Sequence, residues 1–176
     1  RFVGGHWYNA WREGCRTVED IFGVPVKGQA DLVIASAGGF PRDINLYQGS
    51  KTIDNAYMAC KPGGVIILLL ECRDIMEPPD FSGWFNYESM YDREIALRAG
   101  FTVPGFIAVK CGIMFKEIPH IVVTKAENKA FMEKAGMIPV TTLEEAMAIA
   151  KEKLGREDYT ITVMPLAANT VPLVQE

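Results

Sequence analysis

A short apolar run that ends at two glycines is the feature that most constrains the fold of this chain. Residues 32–35 are apolar and are followed closely by Gly38-Gly39, a pattern typical of a buried strand whose chain enters a loop at its carboxyl end. A helix is predicted from Asn45 to about Cys60, because Asn45 can cap it and Gln48 follows at capping-box spacing. A buried strand followed by a helix indicates an α/β unit, in which ligands bind at the carboxyl end of the strand.

The rest of the pattern predicts further alternation of helices and strands. Helices are expected over residues 8–21, 91–99, 126–135 and 141–154, the last with a Thr141/Glu144 capping box. Strands are expected over 65–72, 118–124 and 159–164, a short strand or a turn over 138–140, and an extended piece over 23–26. Residues 62–64 are expected to form a turn, and 106–115 fit a helix and a strand equally well. The predicted fold class is therefore α/β, with a layered, mostly parallel sheet flanked by helices. Both a Rossmann-like and a crotonase-like architecture fit this pattern. Residues 1–176 are expected to form a single domain.

Residues 74–89 differ in composition from the predicted elements. They contain Pro78-Pro79, Gly83 and four aromatic side chains, which predict a loop or a short helix. One interpretation is a mobile aromatic lid over the carboxyl edge of the sheet, with Trp84 near a ligand. The other, which we favour, is that the rings pack a small satellite core, because aromatic side chains dominate burial. The tail after Pro165 is expected to dock on the core or on another domain.

Three side chains in the first turns of the predicted motif helix suit a small anion. At about 100° per residue, Tyr47, Gln48 and Lys51 fall within about a quarter of the helix circumference. Lys51 can neutralise a carboxylate or phosphate, Gln48 can donate and accept hydrogen bonds, and Tyr47 offers a ring with a hydroxyl. Each has a structural alternative: a solvated charge for Lys51, the capping partner of Asn45 for Gln48, and a ring at the core edge for Tyr47.

The glycine turn adds further candidates for anion or loop contacts, namely Gly38, Gly39, Arg42 and, from the aromatic segment, Trp84. The glycine pair has a simple alternative, an unusual backbone angle, since no G-x-G-x-x-G follows. Arg42 fits both a surface cation and an anion clamp.

One long motif also carries a family resemblance. It comprises Gly38-Gly39-Phe40-Pro41, residues 43–48, Lys51 and Asp54-Asn55-Ala56, and a Lys61-Pro62-Gly63-Gly64 segment leads into the next strand. With these residues the chain resembles the carboxyl-terminal domain of the nickel-dependent lactate racemase family. In such enzymes a nickel-pincer nucleotide takes a hydride from the α-carbon of a 2-hydroxy acid and returns it to either face. The resemblance implies that Tyr47, Gln48 and Lys51 line the substrate pocket.

The resemblance also implies groups that this sequence does not match. Family members use a lysine that tethers the cofactor, a histidine on nickel and two histidines as acid and base, all in a preceding region. His6 and His120 lie in no such motif and are expected to be structural, with no metal site. We expect an excised piece, consistent with Arg1, that carries no catalytic residue and no tethered cofactor. Its expected partners are its own amino-terminal domain and a small 2-hydroxy acid.

Composition excludes several other functions. The net charge of −4 and the lack of a basic cluster argue against nucleic acid. The longest apolar run, residues 65–70, is far shorter than the roughly 20 residues that span a bilayer, so no membrane segment is expected. The four cysteines have no close pairing and are expected to be free thiols in a reducing cytoplasm.

Two alternative functions use the same helix face. A non-catalytic module for a small anion or nucleotide would bind its ligand tightly in isolation, whereas half of a composite site would bind it weakly. A purely structural interaction domain would tolerate substitution of Tyr47, Gln48 and Lys51.

Overall fold

Helices and strands alternate along the chain in the computed structural model, which describes residues 1–175. The α-helices are α1 (Trp7–Phe22), α2 (Leu46–Ala59), α3 (Pro79–Ser82), α4 (Met90–Ala99), α5 (Val103–Glu117), α6 (Lys129–Ala135) and α7 (Leu143–Leu154). The strands are β1 (Gly23–Lys27), β2 (Ala30–Ser36), β3 (Cys60–Leu69), β4 (His120–Val123), β5 (Ile138–Val140), β6 (Ile161–Met164) and β7 (Val171–Gln175). Short 3-10 turns lie at Gly83–Asn86, Ala126–Asn128 and Ala167–Asn169.

A five-stranded parallel sheet with the order β5-β4-β3-β2-β6 forms the centre of the structure. The chain moves from β2 in one direction as far as β5 and then returns to add β6 on the other side of β2. The strand order therefore reverses between β2 and β6, which is where open parallel sheets bind ligands. The predicted α/β class with a mostly parallel sheet is confirmed. The tail adds β7, which pairs with β1 in a separate parallel ribbon and contacts α2.

Helices cover both faces of the sheet, which explains the unbroken apolar sequence of its central strands. Alternate residues of a strand point to opposite faces. Val33 and Ile66 belong to the core that α2, α5 and α6 complete. Leu32 and Ile67 belong to a second core, which α7 closes with two fully buried alanines.

The cysteines of the described chain are free thiols, as predicted. Cys60, Cys72 and Cys111 are buried, and Cys15 on α1 is half-buried. Burial raises the pKa of each of the three buried thiols to about 12.

The turn expected at residues 62–64 is instead a bulge inside β3. The strand begins at Cys60, opposite Ala30, but its pairing with β2 shifts before Leu32 meets Val65. Gly64 allows this arrangement, because a Cβ at that position would lie 2.6 Å from the backbone oxygen of Asp31. The strand ends at Leu69 and not at residue 72.

The aromatic segment packs into the main core. Residues 74–89 contain α3 and a 3-10 turn, consistent with the predicted loop or short helix. Phe81 and Phe85 are buried in the core beneath α2 and α5, with ring centroids 5.3 Å apart. The favoured packing interpretation therefore holds for these two rings, although they join the principal core and do not form a satellite one.

Two helices differ in detail from their predictions. The ambiguous residues 106–115 lie within α5. Helix α7 is capped by Thr142, whose Oγ1 accepts a hydrogen bond from the backbone N–H of Glu145. The Glu145 carboxylate in turn accepts one from the N–H of Thr141, so the capping pair lies one residue later than predicted.

Helix α1 is present as predicted, but none of its side chains is fully buried. Trp7 and Trp11 are 74% and 61% exposed, and the helix contacts the rest of the structure mainly through β1. Within residues 1–175, no helix combines the length and the apolar character needed to cross a membrane.

The start of α2 depends on the side chain of Asn45. Its Oδ1 accepts a hydrogen bond from the backbone N–H of Gln48 at 2.9 Å, so Asn45→Ala should lower the free energy of unfolding by about 1 kcal/mol. Asn45→Ser keeps an acceptor at the same position and should lose much less. Urea unfolding followed by circular dichroism measures both variants, and equal losses would contradict the capping role.

Candidate functional site

A small cavity lies where the carboxyl ends of β2 and β6 meet. Its volume is about 170 Å³, the space of about six water molecules. The cavity is lined by Pro41, Arg42, Gln48, Lys51, Ala168 and Asn169. The first four residues belong to the turn after β2 and to α2, and the last two belong to the 3-10 turn after β6. The cavity therefore occupies the position where the strand order reverses.

The double glycine brings these two segments together. Gly38 and Gly39 have φ angles of 87° and 79°, which favour glycine because side chains with a Cβ rarely adopt them. A Cβ on Gly38 would lie only 2.6 Å from Cδ2 of Leu166, the second residue after β6. Within the same turn, the backbone N–H of Arg42 donates a hydrogen bond to the backbone oxygen of Gly39 at 3.0 Å. The glycine pair therefore has a structural role in forming the cavity wall.

The turn after β2 is also tied to the segment after β3. The Asp43 carboxylate accepts a hydrogen bond from the backbone N–H of Glu71 at 3.1 Å. The backbone oxygen of Asp43 accepts another from the N–H of Cys72 at 2.9 Å. Because Asp43 is buried, these bonds hold the backbone that carries Arg42 against the edge of the sheet.

Helix α2 supplies the polar side chains of one wall and holds the opposite wall in place. The Lys51 ammonium donates to Gln48 Oε1 at 3.0 Å, so the two side chains extend over the cavity together. The Asn55 amide donates to the backbone oxygen of Ala167 at 2.6 Å. This bond fixes the turn that carries Ala168 and Asn169.

The cavity lining is positively charged. It contains two cations and two amides and no carboxylate. Neither Arg42 nor Lys51 forms an ion pair within residues 1–175. Both are exposed, whereas Gln48 is half-buried. A small anion with hydrogen-bonding oxygens is the ligand that matches this lining.

The structure brings together only part of the predicted set. Gln48, Lys51 and Arg42 meet at the cavity, but the Tyr47 ring packs edge-on against Phe81, with centroids 5.5 Å apart. Trp84 packs against α5, where a Cβ on Gly105 would overlap its indole. Ligand contacts of Tyr47 and Trp84 stay predictions.

Ala168 and Asn169 were not identified from the sequence. They lie in no motif, and the pattern around them only suggested a docked tail. Only the strand order of the structure identifies them, because it places the end of β6 next to the glycine turn.

The matching family model and the similar curated proteins share one description, lactate racemase. The family model described as the lactate racemase C-terminal domain matches residues 26–171. The lactate racemase of Thermoanaerobacterium thermosaccharolyticum is 34% identical over 169 residues, which are 92% of this chain and 38% of that protein. The lactate racemase of Lactiplantibacillus plantarum is 37% identical over 65 residues, 37% of this chain and 15% of that protein. The chain therefore spans less than two fifths of the length of these relatives.

Solved structures show the same relationship. The lactate racemase apoprotein from Thermoanaerobacterium thermosaccharolyticum matches with a TM-score of 0.79 and 29% identity, over 96% of this chain and 41% of that one. A protein from Thermotoga maritima matches with a TM-score of 0.58 and 12% identity, over 96% of this chain and 42% of that one. The second match shows the fold alone.

The two histidines lie away from the cavity. His6 is exposed at the start of α1. His120 is buried at the start of β4, where its Nδ1–H donates to the backbone oxygen of Ile118 at 2.8 Å and its ring packs on Phe115. Its Nε2 has no hydrogen-bond partner in the described chain, and burial lowers the pKa of His120 to about 4. A structural role for His120 is consistent with this apolar environment.

His120 should make stability depend on pH between about 6.5 and 4. In that window the unfolded chain protonates this imidazole and the folded chain does not, so the free energy of unfolding falls as pH falls. His120→Phe should remove up to roughly 3 kcal/mol of the change in the free energy of unfolding across this window. Urea unfolding at a series of pH values measures the change. His6→Phe is the matched control and should keep the original slope. The same slope in His120→Phe as in the unmodified protein would contradict the buried neutral state.

Proposed function

Because the chain belongs to the lactate racemase C-terminal domain family, we propose that it supplies the substrate-binding half of a 2-hydroxy-acid racemase or epimerase. The cavity between the ends of β2 and β6 would hold a lactate-like acid. The observation that carries this proposal is the meeting of Arg42, Gln48 and Lys51 at one small cavity without a competing carboxylate.

Size and charge both support a small hydroxy acid. A volume of about 170 Å³ equals about six water molecules, and lactate has a comparable number of non-hydrogen atoms. A mononucleotide is much larger than this space. The two cations of the lining would compensate one carboxylate, and the amides would bind the neutral hydroxyl.

Each lining side chain has a distinct role in this proposal. Lys51 provides a mobile point charge for the substrate carboxylate, and Arg42 can bind the same group with two parallel N–H donors. Gln48 accepts from Lys51 through Oε1 and can present its amide N–H groups to the substrate hydroxyl. Asn169 on the opposite wall offers both a donor and an acceptor.

The finer proposal is a nickel-pincer nucleotide enzyme that acts by hydride transfer. When bound, that group would supply the hydride acceptor. Neither His6 nor His120 lines the cavity, and among residues 1–175 no group of three or more His, Cys, Asp or Glu side chains is placed to hold a metal ion, so the described residues supply no ligand for nickel beside the proposed substrate. The role proposed for this chain is therefore limited to binding and orienting the acid.

A second surface is needed to complete such a site. Arg42 and Lys51 are exposed, so an acid bound to them alone would stay largely hydrated. Hydride transfer requires the reacting carbon to be held in a near-attack geometry, which one open wall does not provide. We therefore propose that an amino-terminal domain closes the cavity, and the description of the matching family as a C-terminal domain supports the presence of such a partner.

Lys51→Ala tests this role in the complete racemase, comprising this chain and its amino-terminal region. Loss of the carboxylate contact should raise KM for lactate by about tenfold or more, because the contact is present in both the ground state and the transition state. Lys153→Ala removes another exposed lysine, from α7, and should leave the kinetics unchanged. Unaltered kinetics in Lys51→Ala would remove Lys51 from the site.

Titration of the chain itself separates the proposal from a binding module. Amide NMR shifts of Arg42, Gln48 and Lys51 on addition of L-lactate, with a Kd in the millimolar range or weaker, are expected for half of a composite site. Lys51→Ala should abolish these shifts. Tight binding of a mononucleotide at the same residues would favour a non-catalytic binding module instead.

A further inference from the structure

A second cavity lies among α4, α5 and the end of α6, with a volume of about 300 Å³. Helices α5 and α6 lead into the amino ends of β4 and β5, so their carboxyl ends lie at the sheet edge opposite the candidate substrate cavity. The two cavities share no lining residue. A ligand in the second cavity would therefore not compete with the proposed substrate for binding residues.

Arg93 is the unusual residue of this cavity. It is only 7% exposed, although arginine is rarely buried without a partner. Its guanidinium carbon lies 4.9 Å from the centroid of the Phe85 ring, and Nη1 has only a weak contact of 3.5 Å to the Met90 sulfur. Nε has no hydrogen-bond partner, and no carboxylate pairs with Arg93 in the described part of the chain.

These contacts do not compensate the buried charge. The cation–π contact to Phe85 offsets only part of the free energy lost when a guanidinium leaves water. Deprotonation is not an alternative, because arginine keeps its proton in proteins even when burial lowers its pKa, as it does here. An anion in the cavity would provide the missing hydrogen-bond acceptors.

The neighbouring residues leave space and add positive charge. A Cβ on Gly112 would lie 2.8 Å from the Met90 sulfur and 3.1 Å from Arg93 Nη1, so glycine leaves room for the guanidinium. Lys116 and Lys134 also line the cavity and are exposed. Together with Glu88, the one carboxylate of the lining, these three cations give a local net charge of +2.

We propose that this cavity binds a small phosphomonoester, with Arg93 as the buried anchor and Lys116 and Lys134 at the mouth. A phosphate group carries a charge of about −1.5 to −2 near neutral pH, which matches the lining. The Arg93 guanidinium can donate two parallel hydrogen bonds to the phosphate oxygens. The volume equals about ten water molecules, which leaves space for a small organic group beyond the phosphate.

Calorimetric titration with inorganic phosphate and with glycerol 3-phosphate tests the proposal, at an ionic strength held constant with chloride. Both should bind saturably, and glycerol 3-phosphate should bind at least as tightly as inorganic phosphate. Arg93→Met, which replaces the charge with an apolar chain, should weaken binding by about a hundredfold, and Lys134→Gln by about tenfold. Lys153→Gln, on an exposed face away from both cavities, should leave both affinities unchanged.

Several results would overturn the proposal. These are no saturable binding by the unmodified chain, an unchanged Kd in folded Arg93→Met, loss of phosphate binding in Lys51→Ala, and tighter binding of succinate than of both phosphates. If Arg93→Met does not fold, the surface double variant Lys116→Gln/Lys134→Gln decides: a Kd raised by at least about tenfold supports the site, and an unchanged Kd overturns it. None of these results depends on racemase activity.

Discussion

The alignment of the candidate site depends on the pairing of β2 with β6, and Asp31 fixes the start of that pairing. Its nearly buried carboxylate accepts hydrogen bonds from Thr160 Oγ1 at 2.6 Å and from the Thr160 N–H at 2.8 Å. Arg156 and Lys61 add ion pairs at 2.6 and 3.2 Å. These donors, those of Thr160 foremost, hold the pKa of Asp31 well below its ordinary value. From there residues 32–35 of β2 pair in register with residues 161–164 of β6, as far as the sheet edge where the cavity lies.

The carboxyl edge of the sheet is held by buried polar side chains that link successive loops. The Asn128 amide donates to the backbone oxygens of Glu71 and Cys72 at 3.0 Å each. Thr124 Oγ1 donates to the same oxygen of Glu71 at 3.2 Å. With the Asp43 contacts, these bonds join the segments after β2, β3 and β4. The cavity wall thus has a fixed backbone and exposed cationic tips, which is the arrangement that the proposed binding of a small anion requires.

Local signals were sufficient to predict the β2–α2 unit and the placement of Gln48 and Lys51 together on α2. The capping geometry of Asn45 and the glycine pair act over a few residues, so the positions of Gln48 and Lys51 followed from helical spacing. The second wall, with Asn169, was not predictable in this way, because the neighbour of β2 is set by long-range strand pairing. The bulge in β3 also depends on a tertiary contact, the approach of Gly64 to the backbone of Asp31. In α7 the predicted Thr141/Glu144 box is displaced by one residue, because Thr142 and Glu145 form the capping pair.

The three buried thiols give the protein internal probes of local opening. Cys60 lies at the junction of α2 and β3, Cys72 follows β3, and Cys111 lies within α5. Alkylating reagents react with thiolates, and a pKa of about 12 keeps each of these sulfurs protonated as well as enclosed. Their alkylation rates therefore report how often the covering elements separate. Mass spectrometry of the labelled chain can thus rank the local stability of three regions within one molecule: the start of β3, the segment after β3, and α5.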